Sequence, residues 1–531
     1  MNCTVTHLPY QDTGYFSKII TDYLEQENFL RPFYQHPVSI EGIKSAIHAR
    51  QQFKTDRKML VDELKKQYAI TGMNPAVSNN LRCLLEDNCF TITTAHQPAI
   101  FTGPIYFIYK ILHAIKLADY LNKELSDYRF VPVFFMGSED ADLEELGQIY
   151  LNHQKLVWDT NQKGAVGRMN PDGLEQMIDR IAGEYSIQPF GAELIRLMKD
   201  CYVNSDNIQS ATFKLLNAIF AENGLIIVIP DNVNFKKQMV PVFKDDLFNH
   251  TPSILAKKAI EGLSSQYEIQ ANPRDINLFY LKDDIRERII QHDEMYKVNG
   301  TNLEFTRDQL NAELETHPER FSPNVILRGL FQETILPNLA FVGGGGETAY
   351  WLELKGIFDH YKVPFPILIL RNSFLIVEKK WKEKFKRTGF GIKDIFKQED
   401  ELVNDLVRKE SRNQLNLDKE IEDANNYYEK LKLISNPVDP TLTQYVEALK
   451  SKAVKPIMDL EKKLLKAEKR KFEDQRMHIH SIKSSLFPMD GLQERIENFM
   501  PYYAAWGKKF LDMLYKHSPA LDQKFTVLEE N

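Results

Sequence analysis

FTITTAHQPAIFTGPIYFIYKILHAIKLADYLNKELSDYRFVPVFF, residues 90–135, decides the fold. FTITT (90–94) is a short β-branched run of the kind that forms strands. Ile105, Ile108, Ile111, Leu112 and Ile115 then recur at helical spacing to about Leu125. FVPVFF (130–135) is an unbroken apolar run, as expected of a strand covered on both faces. Strand, helix and strand in this order form a parallel, right-handed crossover unit. In the joining loop, Pro104 suits the first position of the helix and the Thr102 hydroxyl suits its cap. His96, Gln97, Thr102 and Gly103 at that junction fit a ligand cradle and also fit a plain turn, the reading that the bare pattern favours.

The same alternation recurs further along. LIIVI (225–229) is another buried strand, and LAFV (339–342) runs into Gly343–Gly346, a helix over 347–361 and the strand PILIL (366–370). These elements specify an α/β fold with a doubly wound parallel core. The chain then divides into N-terminal helices (15–28 and 39–69) with the first half of the core over 1–150, and insertions around strand 225–229 over 151–330. The second part of the core, with its glycine-rich loop, covers 331–377. LFYL (278–281) is a strand signal within the insertions.

From about residue 378 the pattern changes. Leu417, Ile421, Ala424, Tyr428 and Leu431 alternate at steps of four and three, NPVDP (436–440) breaks the helix, and Ile457, Leu460, Leu464 and Ala467 resume the pattern. This is an antiparallel helical coiled-coil arm over 378–485, with Pro456 expected to kink its return limb. It serves either as an intramolecular arm or as the contact of a homodimer. The segment 486–531 is an aromatic-rich helical piece expected to pack on the core.

Composition narrows the functional classes. A net charge of −7 gives no footprint for nucleic acid, and no window approaches the ~20 apolar residues of a membrane span. Cys3, Cys83, Cys89 and Cys201 are scattered without the close pairs of a metal site. The N-terminal residues lack the features of a signal peptide, so a cytoplasmic location is expected.

In a parallel sheet, ligands settle beyond the carboxyl ends of the strands, and three loops leave such ends. The first runs from His96 to Pro104, where the helix start favours an anion. The second is Gly137-Ser138-Glu139-Asp140-Ala141-Asp142, with Glu144 and Glu145 following. Its five carboxylates repel one another unless a cation sits among them, although helix capping accounts for one or two. The third is GGGGETAYW (343–351), where glycines let the backbone approach a ligand and Glu347 would attract an ammonium group. Gly343, Gly344, Glu347, Tyr350 and Trp351 are its candidate binding residues. Arg328 in SPNVILRGLFQETILP suits a carboxylate, with Asn324 beside it. His478 and His480 are two apart, the wrong spacing for one helix face, and no metal ligand is assigned.

Four stretches carry a resemblance: HQPAIFTGPIYFIYKILHAIKLA, FVPVFFMGSEDADLEEL, FSPNVILRGLFQETILPNLAFVGGGGETAYWLELKGIF and SSLFPMDGLQERIENFMPY. Together they resemble the bacillithiol biosynthesis cysteine-adding enzyme family, BshC, along nearly the whole chain. The resemblance implies a Rossmann-like core related to class I synthetases and nucleotidyltransferases, with connective insertions, an arm that pairs subunits, and a ligase that joins the cysteine carboxyl group to the amine of glucosaminyl-malate. ATP-dependent activation, with magnesium, is the route this fold suggests, and no tightly bound cofactor is expected. The catalytic candidates are Glu139, Asp140, Asp142 and His96. Three departures accompany the match: Ala141 stands where the family usually carries His, Gly345 replaces a Pro, and Arg328-Gly329-Leu330 replaces Arg-Pro-Leu. Another amine acceptor on the same core, or a non-catalytic coiled-coil scaffold, are the alternatives.

Overall fold

The computed structural model describes residues 3–531. They divide into two compact units, one running to Leu375 and resuming over Gly491–Leu528, the other comprising Ile376–Asp490 and Glu529–Asn531. The segments 1–150, 151–330 and 331–375 thus belong to a single body.

That body is built on five strands: β1 (Cys89–His96), β2 (Arg129–Met136), β3 (Ile226–Val228), β4 (Asn338–Gly343) and β5 (Ile367–Leu370). They lie in the order β5-β4-β1-β2-β3, every neighbouring pair parallel. Strand order reverses between β1 and β4, which makes their carboxyl ends the switch point where such sheets open a crevice. The register sets these ends side by side, Val342 of β4 opposite Thr94 of β1, with His96 opposite Met136 and Gly343 opposite Leu370. All eight residues of β1 and all six of β4 are buried, as a doubly covered sheet requires.

Helix α1 (Tyr106–Glu124) packs Ala114, Leu117, Ala118 and Leu121 beneath the sheet, against Phe90, Ile92, Leu339 and Val342. Two further helices bear on the site: α2 (Val325–Ile335) leads into β4, and α3 (Gly345–Leu352) leaves it.

The structure differs from the sequence-based expectation at several places, among them the 486–531 segment, which ends in a strand, Phe525–Glu530. The N-terminal ninety residues include a strand, Cys3–Leu8, as well as helices. The single helix expected over 347–361 is two, α3 and Lys355–Tyr361. The apolar spacing reads through the break because Leu352, Leu354, Ile357 and Phe358 are all buried. The 151–330 region holds a five-stranded antiparallel sheet made of Leu278–Lys282, Ile285–His292, Met295–Val298, Glu304–Thr306 and Phe321–Pro323, of which only the first was legible. Finally, α1 begins at Tyr106, so Pro104 is not its first residue and Thr102 does not cap it. Phe101, Thr102 and Gly103 instead take φ values of 49°, 70° and 60° in succession, a left-handed run that side chains disfavour. Distant groups hold it. The Phe101 N–H donates to the Tyr202 hydroxyl at 2.8 Å, and the Asn498 side-chain amide donates to the carbonyls of Phe101 and Gly103.

The second unit is helical. Helices α4 (Asp418–Ser435) and α5 (Leu442–Lys469) form the antiparallel hairpin, with Ile421, Ala424, Tyr428 and Leu431 half-buried between the limbs. Lys450 and Glu429 pair across it at 2.7 Å, and Lys432 pairs with Glu447. The helix continues through Pro456, which has no N–H to donate within α5. Among the described residues no helix is long and apolar enough to cross a membrane.

Candidate functional site

At the carboxyl ends of β1, β2 and β4 a cavity of about 820 Å³ opens in the first unit. Three segments meet there: His96–Gln97 from β1, Gly137–Asp140 with Glu145 from β2, and Gly344–Glu347 with Tyr350 from β4 and α3. Asn324 and Arg328 enter from α2. The cavity does not receive Thr102 or Gly103, whose left-handed turn faces Asn498, nor Gly343, whose carbonyl accepts the Arg371 N–H at 2.7 Å. Trp351 is core: it stacks on Phe341 at 4.7 Å between centroids. Asp142 is exposed and caps the short helix Leu143–Leu146, accepting the Glu145 N–H at 3.1 Å.

The walls are not predominantly acidic. Lys110, Arg286, Arg328, Arg371 and Arg495 line the cavity beside Glu139, Asp140, Glu145 and Glu347. Of these cations only Arg328 was singled out in the sequence. Most of the carboxylates already have partners. Glu139 pairs with the fully buried Lys236. Asp140 accepts from Gln97 at 3.1 Å and faces Arg286 at 4.0 Å. Although burial opposes its charge, Arg286, Gln97 and Arg328 together hold its carboxyl below the usual range, so it is ionised at neutral pH. Glu347 pairs with Lys110 and accepts the Gly344 N–H at 2.8 Å, which closes the first turn of α3. The ammonium group expected at Glu347 is therefore supplied by the protein itself.

Glu145 differs. Burial, then the charges of Asp142 and Asp140, push its carboxyl up from the usual range. His96 lies at the end of β1, with its Nε2 3.1 Å from the Tyr106 hydroxyl. Burial, then the charge of Lys110, holds the imidazole well below its ordinary value, so the ring is neutral. Arg371 lies over the Tyr106 ring at 4.8 Å and donates to Glu494 at 2.8 Å, a buried pair that fixes one wall. Arg328 donates to the Tyr350 hydroxyl at 3.2 Å. Its guanidinium has no carboxylate within ion-pair distance among the described residues, so it can receive an anion without breaking a pair. Ala141 contributes backbone groups: its N–H donates to Asp140 at 2.8 Å and its carbonyl accepts the Leu143 N–H at 2.9 Å.

Two protein-family models match the chain. "Bacillithiol biosynthesis BshC, N-terminal Rossmann-like domain" matches residues 1–372, and "Bacillithiol biosynthesis BshC, C-terminal coiled-coil domain" matches residues 374–530. The chain belongs to the BshC family. A relative from Flavobacterium johnsoniae named "Putative cysteine ligase BshC" is 38% identical over 523 residues, covering 98% of this chain and 99% of its own. A relative of the same name from Flavobacterium psychrophilum is 37% identical over 527 residues with the same coverage. A third, from Bacillus cereus, is 25% identical over 541 residues, covering 96% of this chain and 98% of its own. The BshC Rossmann-like model ends at residue 372, close to the boundary between the two units after Leu375.

Proposed function

We propose that this BshC-family protein is a ligase that joins the carboxyl group of cysteine to the glucosamine amine of glucosaminyl-malate and so completes bacillithiol. The observation that carries the reading is the cavity at the β1/β4 switch point, where five cations surround a space large enough for an amino sugar bearing a diacid. Arg328, free of a carboxylate partner, clamps the malate end, with Asn324 one helical turn away. Lys110 and Arg371, beside the start of α3, suit the phosphates of a nucleotide.

Amide formation from a free carboxylate is uphill in water, so the cysteine carboxyl is activated first, with ATP as the phosphoryl or adenylyl donor. The amine then attacks the activated carbonyl carbon. Phosphate or AMP leaves with the bonding electrons, and the amine proton passes to Glu145, the carboxylate whose basicity its surroundings raise. Neutral His96 and Tyr106 hold the floor of the site as a hydrogen-bonded pair. Magnesium enters with the nucleotide's phosphates. Two copies pair through the coiled-coil hairpin, where Leu433, Ile434, Val438 and Tyr445 are exposed.

The test is direct: purified protein, cysteine, glucosaminyl-malate and Mg-ATP, with products read by mass spectrometry. Bacillithiol with stoichiometric ADP or AMP supports the assignment. No thiol condensation product with any nucleoside triphosphate removes it. A product formed only from another amino sugar would point to a different acceptor on the same core, the outcome that Ala141 leaves open.

A further inference from the structure

Outside the cavity, helix Val240–Asn249 buries a carboxylate, Asp246, completely. Its oxygens meet one residue, Asn277: Oδ2 accepts the backbone N–H at 2.6 Å and Oδ1 accepts Nδ2–H at 2.9 Å. No cation lies within ion-pair distance of Asp246 among the described residues. A buried carboxylate without a counter-ion is costly, so its retention calls for a reason.

The reason lies in what Asn277 does next. Its Nδ2 gives one hydrogen to Asp246 and the other to the Arg274 carbonyl at 2.9 Å, while its Oδ1 accepts the Arg274 N–H at 3.1 Å. Rotating the amide by 180° would set donor against donor and acceptor against acceptor, so its orientation is fixed. Oδ1 must therefore be the acceptor it presents to Asn324, whose Nδ2 donates to it at 3.0 Å. The Asn324 backbone N–H adds a second bond, to the Asn277 carbonyl at 3.0 Å. Asn324 in turn has its Oδ1 engaged by the Ile326 N–H at 2.9 Å, as the cap of α2. The group that Asn324 has left is the second hydrogen of Nδ2, and Asn324 lines the cavity.

We propose that Asp246 is a positioning residue which, through Asn277, holds Asn324 as an obligate donor, so that Asn324 and Arg328 together form a subsite for a substrate carboxylate. The two donors lie on the same face of α2, one turn apart, with the Arg328 N–H bonded to the Asn324 carbonyl at 2.9 Å. Such a pair accepts oxygen acceptors and rejects an ammonium or amide N–H at the same place. The inference rests on the ligase reading only in naming malate as the acid.

The experiment is a calorimetric titration of the full-length protein with L-malate, together with ¹⁵N spectra of the side-chain amides. Asn324→Ser keeps a good helix cap and removes the amide donor. It is expected to weaken malate binding about tenfold, the loss of one hydrogen bond to a charged group, and to lower the melting temperature only modestly, because the bond to Asn277 is lost with the amide. The side-chain amide signal that disappears in Asn324→Ser is expected to shift in Asp246→Asn, and malate affinity to fall there several-fold, although Asp246 does not reach the cavity. Equal malate affinity in wild type and Asn324→Ser overturns the subsite. An unmoved Asn324 amide signal in a folded Asp246→Asn variant overturns the relay. A wild-type protein that binds malate with this dependence yet makes no thiol product keeps the subsite and loses the ligase reading. One that binds no malate loses the subsite, and the product assay then judges the ligase on its own.

Discussion

His96 shows how a residue readable as a catalytic base takes its character from its surroundings. It ends a fully buried strand, and the cost of charging it there exceeds what its neighbours return, so the ring stays neutral. A histidine held below its ordinary value favours the folded state fully at pH above about 6.5 and loses that contribution as pH falls from there toward the folded-state value. The ¹³Cε1 resonance of His96 is accordingly expected to stay constant from pH 8 to pH 5.5. An inflection near 6.5 would contradict the burial argument. The same scale explains why the cationic wall went unread: Lys110 lies mid-helix, and Arg286, Arg371 and Arg495 lie far apart in the chain. Only the fold brings them to one rim.

At the scale of elements, α2 and α3 carry the site and must pack closely behind it. Gly329 on α2 lies against the Trp351 ring of α3, where an added Cβ would come within 2.9 Å of two ring carbons. Trp351 is stacked on Phe341 and tilted against Phe358, so it has no room to withdraw. Gly329→Ala is expected to cost roughly 1–3 kcal/mol of stability, read by denaturant titration, as overpacking of a filled core does. A neutral substitution would show that the two helices can separate. The elements that define the sheet were legible from periodicity alone because β1, β2 and β4 are unbroken apolar or β-branched runs. The turn at Phe101–Gly103 was not legible, because its left-handed backbone is held by Tyr202 and Asn498, about 100 and 400 positions away. Nor was the antiparallel sheet around Leu278–Lys282: Ile285–His292 is largely exposed and alternates too weakly to announce itself.

For the whole molecule, the cationic crevice belongs to one unit and the helical hairpin to the other. Replacing Leu433 and Ile434 by Glu on the exposed hairpin surface is expected to convert a dimer to a monomer in sedimentation experiments. Should the sedimentation of wild type and variant coincide, that surface pairs nothing. The central claim is that the crevice at the β1/β4 switch point binds the acidic acceptor through Arg328, and titration of glucosaminyl-malate into wild type and Arg328→Gln tests it most directly. The account predicts saturable binding by wild type and at least tenfold weaker binding by a folded Arg328→Gln variant. Equal affinity in the two proteins would place the acceptor elsewhere and contradict it.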